Sequence, residues 1–300
     1  MSRADRGWRS SSPELSMADD DDVRLAVIVP AFGNWGDTRE CLSMLAAQSG
    51  RTTLVCLADD GSPEPPPAAV TGIERLIYLR GTHGGFAVNC NRAAAEVIRL
   101  GATHVLFLNN DTVVGGRFIE GWLAAIRMHP AAIMSPVINY ADAPTRIWHS
   151  GGRKTIWAPF MRQRRGYTTT TPVELVCGCC LVVPASAWRA LDGFDEGFTM
   201  YFEDFDLTLR ARRSGIDVLL LPDDDLAVGH KVSGSFRGDP WSKERLLYRS
   251  RRLFASRHYS GLAAAVVRAL EGPFLLWRLV ANLPAVPDSD TLREVLGCRR

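Results

Sequence analysis

Apolar residues along this chain come in short unbroken runs that end on polar, turn-forming clusters. Leu25-Ala26-Val27-Ile28-Val29 closes on Pro30, Thr53 to Leu57 on Ala58-Asp59-Asp60-Gly61-Ser62, and His104 to Leu108 on Asn109-Asn110-Asp111-Thr112. Runs of this length without polar alternation suit strands buried on both faces, as in a parallel sheet. Arg75 to Leu79 gives a further short strand. Between the runs the apolar spacing turns helical. One helix, capped by Asp37, passes through Cys41, Leu42, Met44 and Leu45, and a second spans Ala87 to Leu100. Strand, helix, strand, strand, helix, strand predicts an α/β, Rossmann-like, mostly parallel sheet with helices on both faces. Ligands bind such sheets beyond the carboxyl ends of the strands, so the three polar clusters are expected at one edge.

The second half is less regular. A helix over 116–128, a strand from Ile133 to Ile138, a strand from Leu175 to Val183 and a short helix opened by Ser186 are predicted. Phe202 to Arg213 reads as a helix stopped by Gly215, followed by short strands at Ile216–Leu221 and Leu226–Val228. Residues 139–172 read as a basic loop carrying Arg153, Lys154, Arg162, Arg164 and Arg165. Trp241 to His258 reads as a long arginine-rich helix, and 262–283 as a helix pair or a helix kinked at Gly272-Pro273. The domain plan is a disordered tail over 1–22, a catalytic domain over 23–258 and a C-terminal helical segment over 259–300.

Composition narrows the classes. Of 300 residues, 46% are hydrophobic and 23% charged, and 35 basic against 33 acidic side chains leave a net charge of +2. That is an ordinary globular balance, with no global case for a nucleic-acid partner. Seven cysteines, an odd number, fit free thiols in a reducing compartment better than a disulfide scaffold. The polar start, ending in four aspartates at 19–22, lacks the apolar core of a secretory signal. Arg268, Glu271 and Arg278 interrupt 262–283, which makes it a poor spanning helix. It can lie on a bilayer surface or pack on the catalytic domain. The expected location is the cytoplasm, with a peripheral place at the inner face of the cell membrane left open.

Candidate chemistry lies at the strand ends and one helix start. Asp59-Asp60 can accept hydrogen bonds from a base or a ribose, or simply build an Asx turn. Asn109-Asn110-Asp111 can present oxygen to a divalent cation. Glu203, Asp204 and Asp206 complement a helix N-terminus or supply a general base. His230 is a metal ligand or an ordinary buried histidine. The glycines at 81, 84 and 85 allow close backbone approach, but they match neither a dinucleotide fingerprint nor a P-loop.

Eight strings in order resemble inverting glycosyltransferases of family 2 with the GT-A fold, most of all the rhamnosyltransferase-type branch. They are Val27-Ile28-Val29-Pro30, Ala58-Asp59-Asp60-Gly61-Ser62, Gly84-Gly85-Phe86 with Asn89 and Asn91-Arg92, Leu108-Asn109-Asn110-Asp111, Gly178-Cys179, Gly193-Phe194-Asp195-Glu196, Phe202-Glu203-Asp204-Phe205-Asp206-Leu207 and Gly229-His230. The resemblance implies a nucleotide pocket lined by Pro30, Ala31 and Phe32, with Asp60 reading the base. Gly84, Gly85 and Asn91 would flank the nucleotide and phosphates, with Asn109 and Asn110 also on the donor side. Asp111 and His230 would hold Mg2+ or Mn2+, and Asp204 would be the catalytic base. Glu203, Asp206 and Cys179 would support the acceptor side or the local fold, and the helix from Trp241 would cover the diphosphate. Implied partners are a dTDP- or UDP-linked sugar and a glycan, lipid-linked or small-molecule acceptor. Asn109 departs from the family's Asp-x-Asp motif at its first aspartate. That departure keeps two alternatives in view, a degenerate nucleotide-sugar binder and, less favoured, a nucleotidyltransferase.

Overall fold

A computed structural model describes residues 23–48, 53–71, 76–156, 161–163, 166–232, 240–267 and 269–270. The expected disordered tail, Arg164, Arg165 and the predicted kink at Gly272-Pro273 lie outside them.

The first half runs β1 (Leu25–Ala31), α1 (Trp35–Ala46), β2 (Thr53–Asp59), α2 (Ala68–Thr71), β3 (Leu76–Arg80), α3 (Phe86–Arg99) and β4 (His104–Leu108). Next come β5 (Thr112–Val114), α4 (Phe118–Met128), β6 (Ile133–Pro136), β7 (Ile138–Tyr140), β8 (Ala143–His149), β9 (Gly152–Lys154), β10 (Met161–Gln163) and β11 (Thr171–Pro172). The chain continues through β12 (Cys180–Pro184), α5 (Ala185–Ala190), α6 (Glu203–Arg213), β13 (Val218–Leu221), β14 (Val228–His230) and α7 (Pro240–His258), with a further helical stretch over 261–267.

Eight strands form the central sheet in the order β11-β13-β6-β12-β4-β1-β2-β3. The β4-β1-β2-β3 block is parallel, with Leu25 opposite both Thr53 and His104, while β12 enters antiparallel between β4 and β6. β1 is buried throughout, and its side chains alternate between two cores, as a sheet covered on both faces requires. Ala26 and Ile28 point into a core with Ala87, Cys90, Ala94, Val97, Trp188 and Phe194, which come from α3, α5 and the turn after it. Leu25, Val27 and Val29 point the other way, onto Cys41, Leu42 and Leu45 of α1 and Phe118 and Trp122 of α4.

Four expectations are corrected. Residues 139–172 are not loop alone, because β7 pairs with β8 and β9 with β10, forming two antiparallel ribbons. Their exposed outer faces and mixed polar composition hid them. The strand expected from Leu175 starts at Cys180, because Cys177-Gly178-Cys179 turns to meet α6. The run Ile133–Ile138 divides into β6 and β7, which belong to different sheets. Leu226 closes a 3-10 turn capped by the Asp223 side chain, so the strand there is Val228–His230.

The divided run matters for the site. In the small sheet β5-β14-β7-β8, His230 pairs with Thr112, the residue after Asp111. A third core, with Phe198, Phe202, Leu209, Phe254, Tyr259 and Val267, packs α6 against α7 and the 261–267 helix. No helix among the described residues is long and apolar enough to cross a membrane.

Candidate active site

Parallel register brings the ends of β1, β2 and β4 level, and the backbone knits them: Asp60 N–H donates to the Ala31 carbonyl at 2.9 Å. Pro30 and Ala31 are buried, and Phe32 stands on the rim at 43% exposure. Its ring stacks on His83, with centroids 4.4 Å apart and planes at 28°.

The two adjacent aspartates do different work. Asp59 accepts from Ser62 N–H (2.9 Å), Ser62 Oγ (2.5 Å) and Tyr78 OH (2.7 Å), which makes the Asx-type turn and ties it to β3. Asp60 accepts from Gly84 N–H (2.9 Å), Gly85 N–H (3.0 Å) and His83 Nδ1 (2.8 Å), and so holds the loop after β3 over the end of β2. Gly61 lies under that loop at φ +75°, where a Cβ would come within 2.8 Å of the His83 nitrogen, so glycine is required.

At the end of β4, Asn110 Nδ2 donates to Thr38 Oγ1 at 2.8 Å, and Asn109 N–H to the Cys179 carbonyl at 2.9 Å. Asp111 Oδ1 lies 3.1 Å from His230 Nε2, and both residues are buried. Trp148 of β8 packs edge-on against the His230 ring at 4.3 Å. Lys231 reaches back to Asp37 and Glu40, each at 2.7 Å, and clamps β14 to α1. The same β4–β12 pairing sets the Cys177–Cys179 turn beside Asn109.

Asp204 hangs from that turn. Its Oδ2 accepts from Gly178 N–H and its Oδ1 from Phe205 N–H, both at 2.7 Å, and the Cys177 thiol donates to it as well. A Cβ on Gly178 would press on the Asp204 Cβ at 3.2 Å, so the carboxylate comes this close only because residue 178 is glycine. Tyr201 and Phe202 enter α6 with φ of 71° and 69°, left-handed values rare outside glycine and concentrated at functional sites. Burial pushes Asp204 above the usual aspartate range against the pull of those donors. Burial, then the Asp204 charge, pushes Glu203 well above its own range. Its Oε2 has no hydrogen-bond partner among the described residues. Of the two, Asp204 is the one with N–H donors that favour its ionised form. The segment also closes on Asp60, since Phe86 N–H donates to the Thr199 carbonyl at 2.8 Å and a Cβ on Gly85 would collide with that same oxygen.

The sequence model of Glycosyl transferase family 2 matches residues 26–191. The chain belongs to this family. It is also similar to the N-acetylglucosaminyl-diphospho-decaprenol L-rhamnosyltransferase of Mycobacterium tuberculosis (strain ATCC 25618 / H37Rv), 27% identical over 275 residues, or 81% of this chain and 88% of the relative. Among solved structures, S. aureus TarS 1-349 aligns with a TM-score of 0.59 at 16% identity, over 92% of this chain and 79% of that one. GalNAc-T7 with UDP, GalNAc and Mn2+ aligns with a TM-score of 0.61 at 13% identity, over 75% of this chain and 48% of that one. This chain thus spans about half the length of that second structure. These likenesses establish the GT-A fold, and the protein is a glycosyltransferase.

Within this family 2 site, Asp111 and His230 fit a divalent cation in part. A carboxylate and an imidazole face each other, and the buried His230 Nδ1 has no partner among the described residues. No group of three or more His, Cys, Asp or Glu is placed for a metal among the described residues. One expected donor-side residue faces elsewhere, and two others take the supporting role in the local fold that was one of their expected readings. Asn91 spends its amide on the Phe194 backbone and on Glu196, and so joins α3 to the turn after α5. Asp206 binds Arg210 at 2.7 Å and His258 at 2.8 Å, which ties α6 to α7. Cys179 is a buried wall whose thiol burial pushes well up. Sequence reading missed His83, Trp148, His149 and Cys177. His149 is buried, stacks on Phe205 at 6.2 Å and is pushed down to about 4 by burial, so it stays neutral. All four sit in segments read as turn, basic loop or plain strand. Only the His83-Gly84-Gly85 turn beside Asp60 carried a usable signal.

Proposed function

We propose that this glycosyltransferase moves a hexose, rhamnose-like or other, from a dTDP- or UDP-linked sugar to a hydroxyl of a glycan, lipid-linked or small-molecule acceptor, with inversion. The observation that carries the reading is the Asp204 carboxylate. It is buried, bonded by Gly178 and Phe205, and hung from the turn that borders Asn109 and the Asp111–His230 pair. Placed there, Asp204 takes the acceptor proton as the acceptor oxygen attacks the anomeric carbon from the face opposite the diphosphate. Pro30, Ala31, Phe32 and the Gly84-Gly85 turn bind the nucleotide, and the site orients the two substrates. Asp111 and His230 would hold Mg2+ or Mn2+, whose chemistry when bound is to neutralise charge on the leaving diphosphate.

The rhamnosyltransferase relative, matched over most of its length, supports a lipid-linked acceptor. An enzyme with that acceptor works at the inner face of the membrane, which flotation with lipid vesicles would register and free sedimentation would deny. The direct test incubates the protein with a panel of nucleotide sugars and Mn2+ and follows sugar release by mass spectrometry. Slow hydrolysis of a single donor, abolished in Asp204→Asn, is the expected result. Donor binding without release or transfer would instead favour the degenerate binder suggested by Asn109.

A further inference from the structure

Asp60 is the residue expected to read the donor's base, yet its surroundings leave it little to read with. Its Oδ1 accepts from Gly84 N–H, and its Oδ2 accepts from both Gly85 N–H and His83 Nδ1. The side chain is only 9% exposed. What the carboxylate does present is His83, whose side chain is 61% exposed at the rim of the same strand ends. A carboxylate only accepts, so the imidazole nitrogen facing Asp60 carries the hydrogen. In the neutral ring Nε2 is then a lone-pair acceptor, with no partner among the described residues. The ring's orientation is fixed a second time by the stack on Phe32 at 4.4 Å. An aromatic shelf with one aimed acceptor fits a flat heterocycle that offers an N–H in its plane.

We propose that His83, oriented by Asp60 and Phe32, is the side chain that reads the donor's base, accepting at Nε2 from the imide N3–H that uracil and thymine carry and cytosine lacks. The proposal rests on the nucleotide-sugar reading of this site. It makes Asp60 a positioning residue that acts through His83.

Calorimetric titration of the full chain with UDP, CDP and N3-methyl-UDP, each in Mn2+, tests it. Wild type should bind UDP roughly tenfold more tightly than either analogue, the scale of one well-made hydrogen bond. His83→Phe keeps a ring against Phe32 but removes the acceptor. UDP should fall to the level of the analogues, which themselves should hardly move. His83→Gln returns an acceptor oxygen and should recover part of the preference. Equal binding of UDP and CDP by wild type, or an unchanged UDP preference in His83→Phe, overturns the assignment. If wild type binds no nucleoside diphosphate at all, the nucleotide-sugar reading falls as well, and the absence of heat with every probe marks that outcome.

Discussion

The two acidic strings of this protein, Asp59-Asp60 and Glu203-Asp204-Phe205-Asp206, divide their labour in the same way and settle their charge differently. In each string one carboxylate builds the fold: Asp59 through Ser62 and Tyr78, and Asp206 through Arg210 and His258. The other faces the carboxyl edge of the sheet. At the first string that residue, Asp60, is fully satisfied by donors from one loop. At the second, Asp204 is pushed up by burial beside a Glu203 with an unpartnered oxygen. Asp204 also accepts three hydrogen bonds, but burial still holds it above the usual range, and a carboxylate so raised is suited to take a proton. Adjacent, chemically similar side chains therefore carry separable roles, and substitution can pull them apart.

The largest expected effect is on turnover. Asp204→Asn should lower transfer by about 10²–10⁴-fold with donor affinity kept. It should cost only about 1 kcal/mol of stability, because an amide oxygen can serve one of the Gly178 and Phe205 N–H groups but not both. Paired rate and melting measurements check this, and full turnover in the variant would dissolve the contrast between the strings. Asp206→Asn should do the reverse. Breaking the buried bonds to Arg210 and His258 should cost about 3 kcal/mol, read as a Tm drop of several degrees, with turnover per folded molecule retained. Removing the cation with EDTA, or its ligand by Asp111→Ala, should weaken UDP binding by about tenfold or more in a Mn2+ titration, and should leave binding of the nucleoside alone unchanged.

The smallest effect is in pH, where the sign separates Asp204 from Asp206. Asp204 is raised by burial and, as the proposed base, would have to be ionised, so the acid limb of kcat should lie above the ordinary aspartate range. Burial also pushes Asp206 up, but the hydrogen bond from His258 and the Arg210 charge outweigh it and hold the group below its usual value. The stability Asp206 contributes is therefore present above the ordinary aspartate pKa and is lost as pH falls through its lowered one. A pH–rate profile and a pH series of Tm values should thus fail at different pH, with activity lost first on acidification.

The carboxyl-edge gathering of Pro30, Asp60 and Asp111 was legible because three unbroken apolar runs dictate a parallel block, and parallel strands end level. Asp204 was legible only by resemblance, since three carboxylates at a helix start have an adequate explanation in the helix dipole alone. The small sheet that carries His230 to Asp111 was not legible. Its strands are three to seven residues long and partly exposed, and the apolar run that feeds it divides between two sheets at Val137.

What the chain determined by itself is the buried parallel core and the edge at which chemistry gathers, because hydrophobic period and strand-end composition are local properties that survive without contacts. What only the tertiary structure decided is which polar group at that edge is consumed and which is left open. Asn91 and Asp206 are spent on remote backbone and side chains, Asp60 is spent on a loop that holds out His83, and Asp204 is held by Gly178 and Phe205 beside a Glu203 whose Oε2 has no partner among the described residues. Hydrogen-bond saturation and desolvation depend on partners far away along the chain, so no local pattern of residues encodes them.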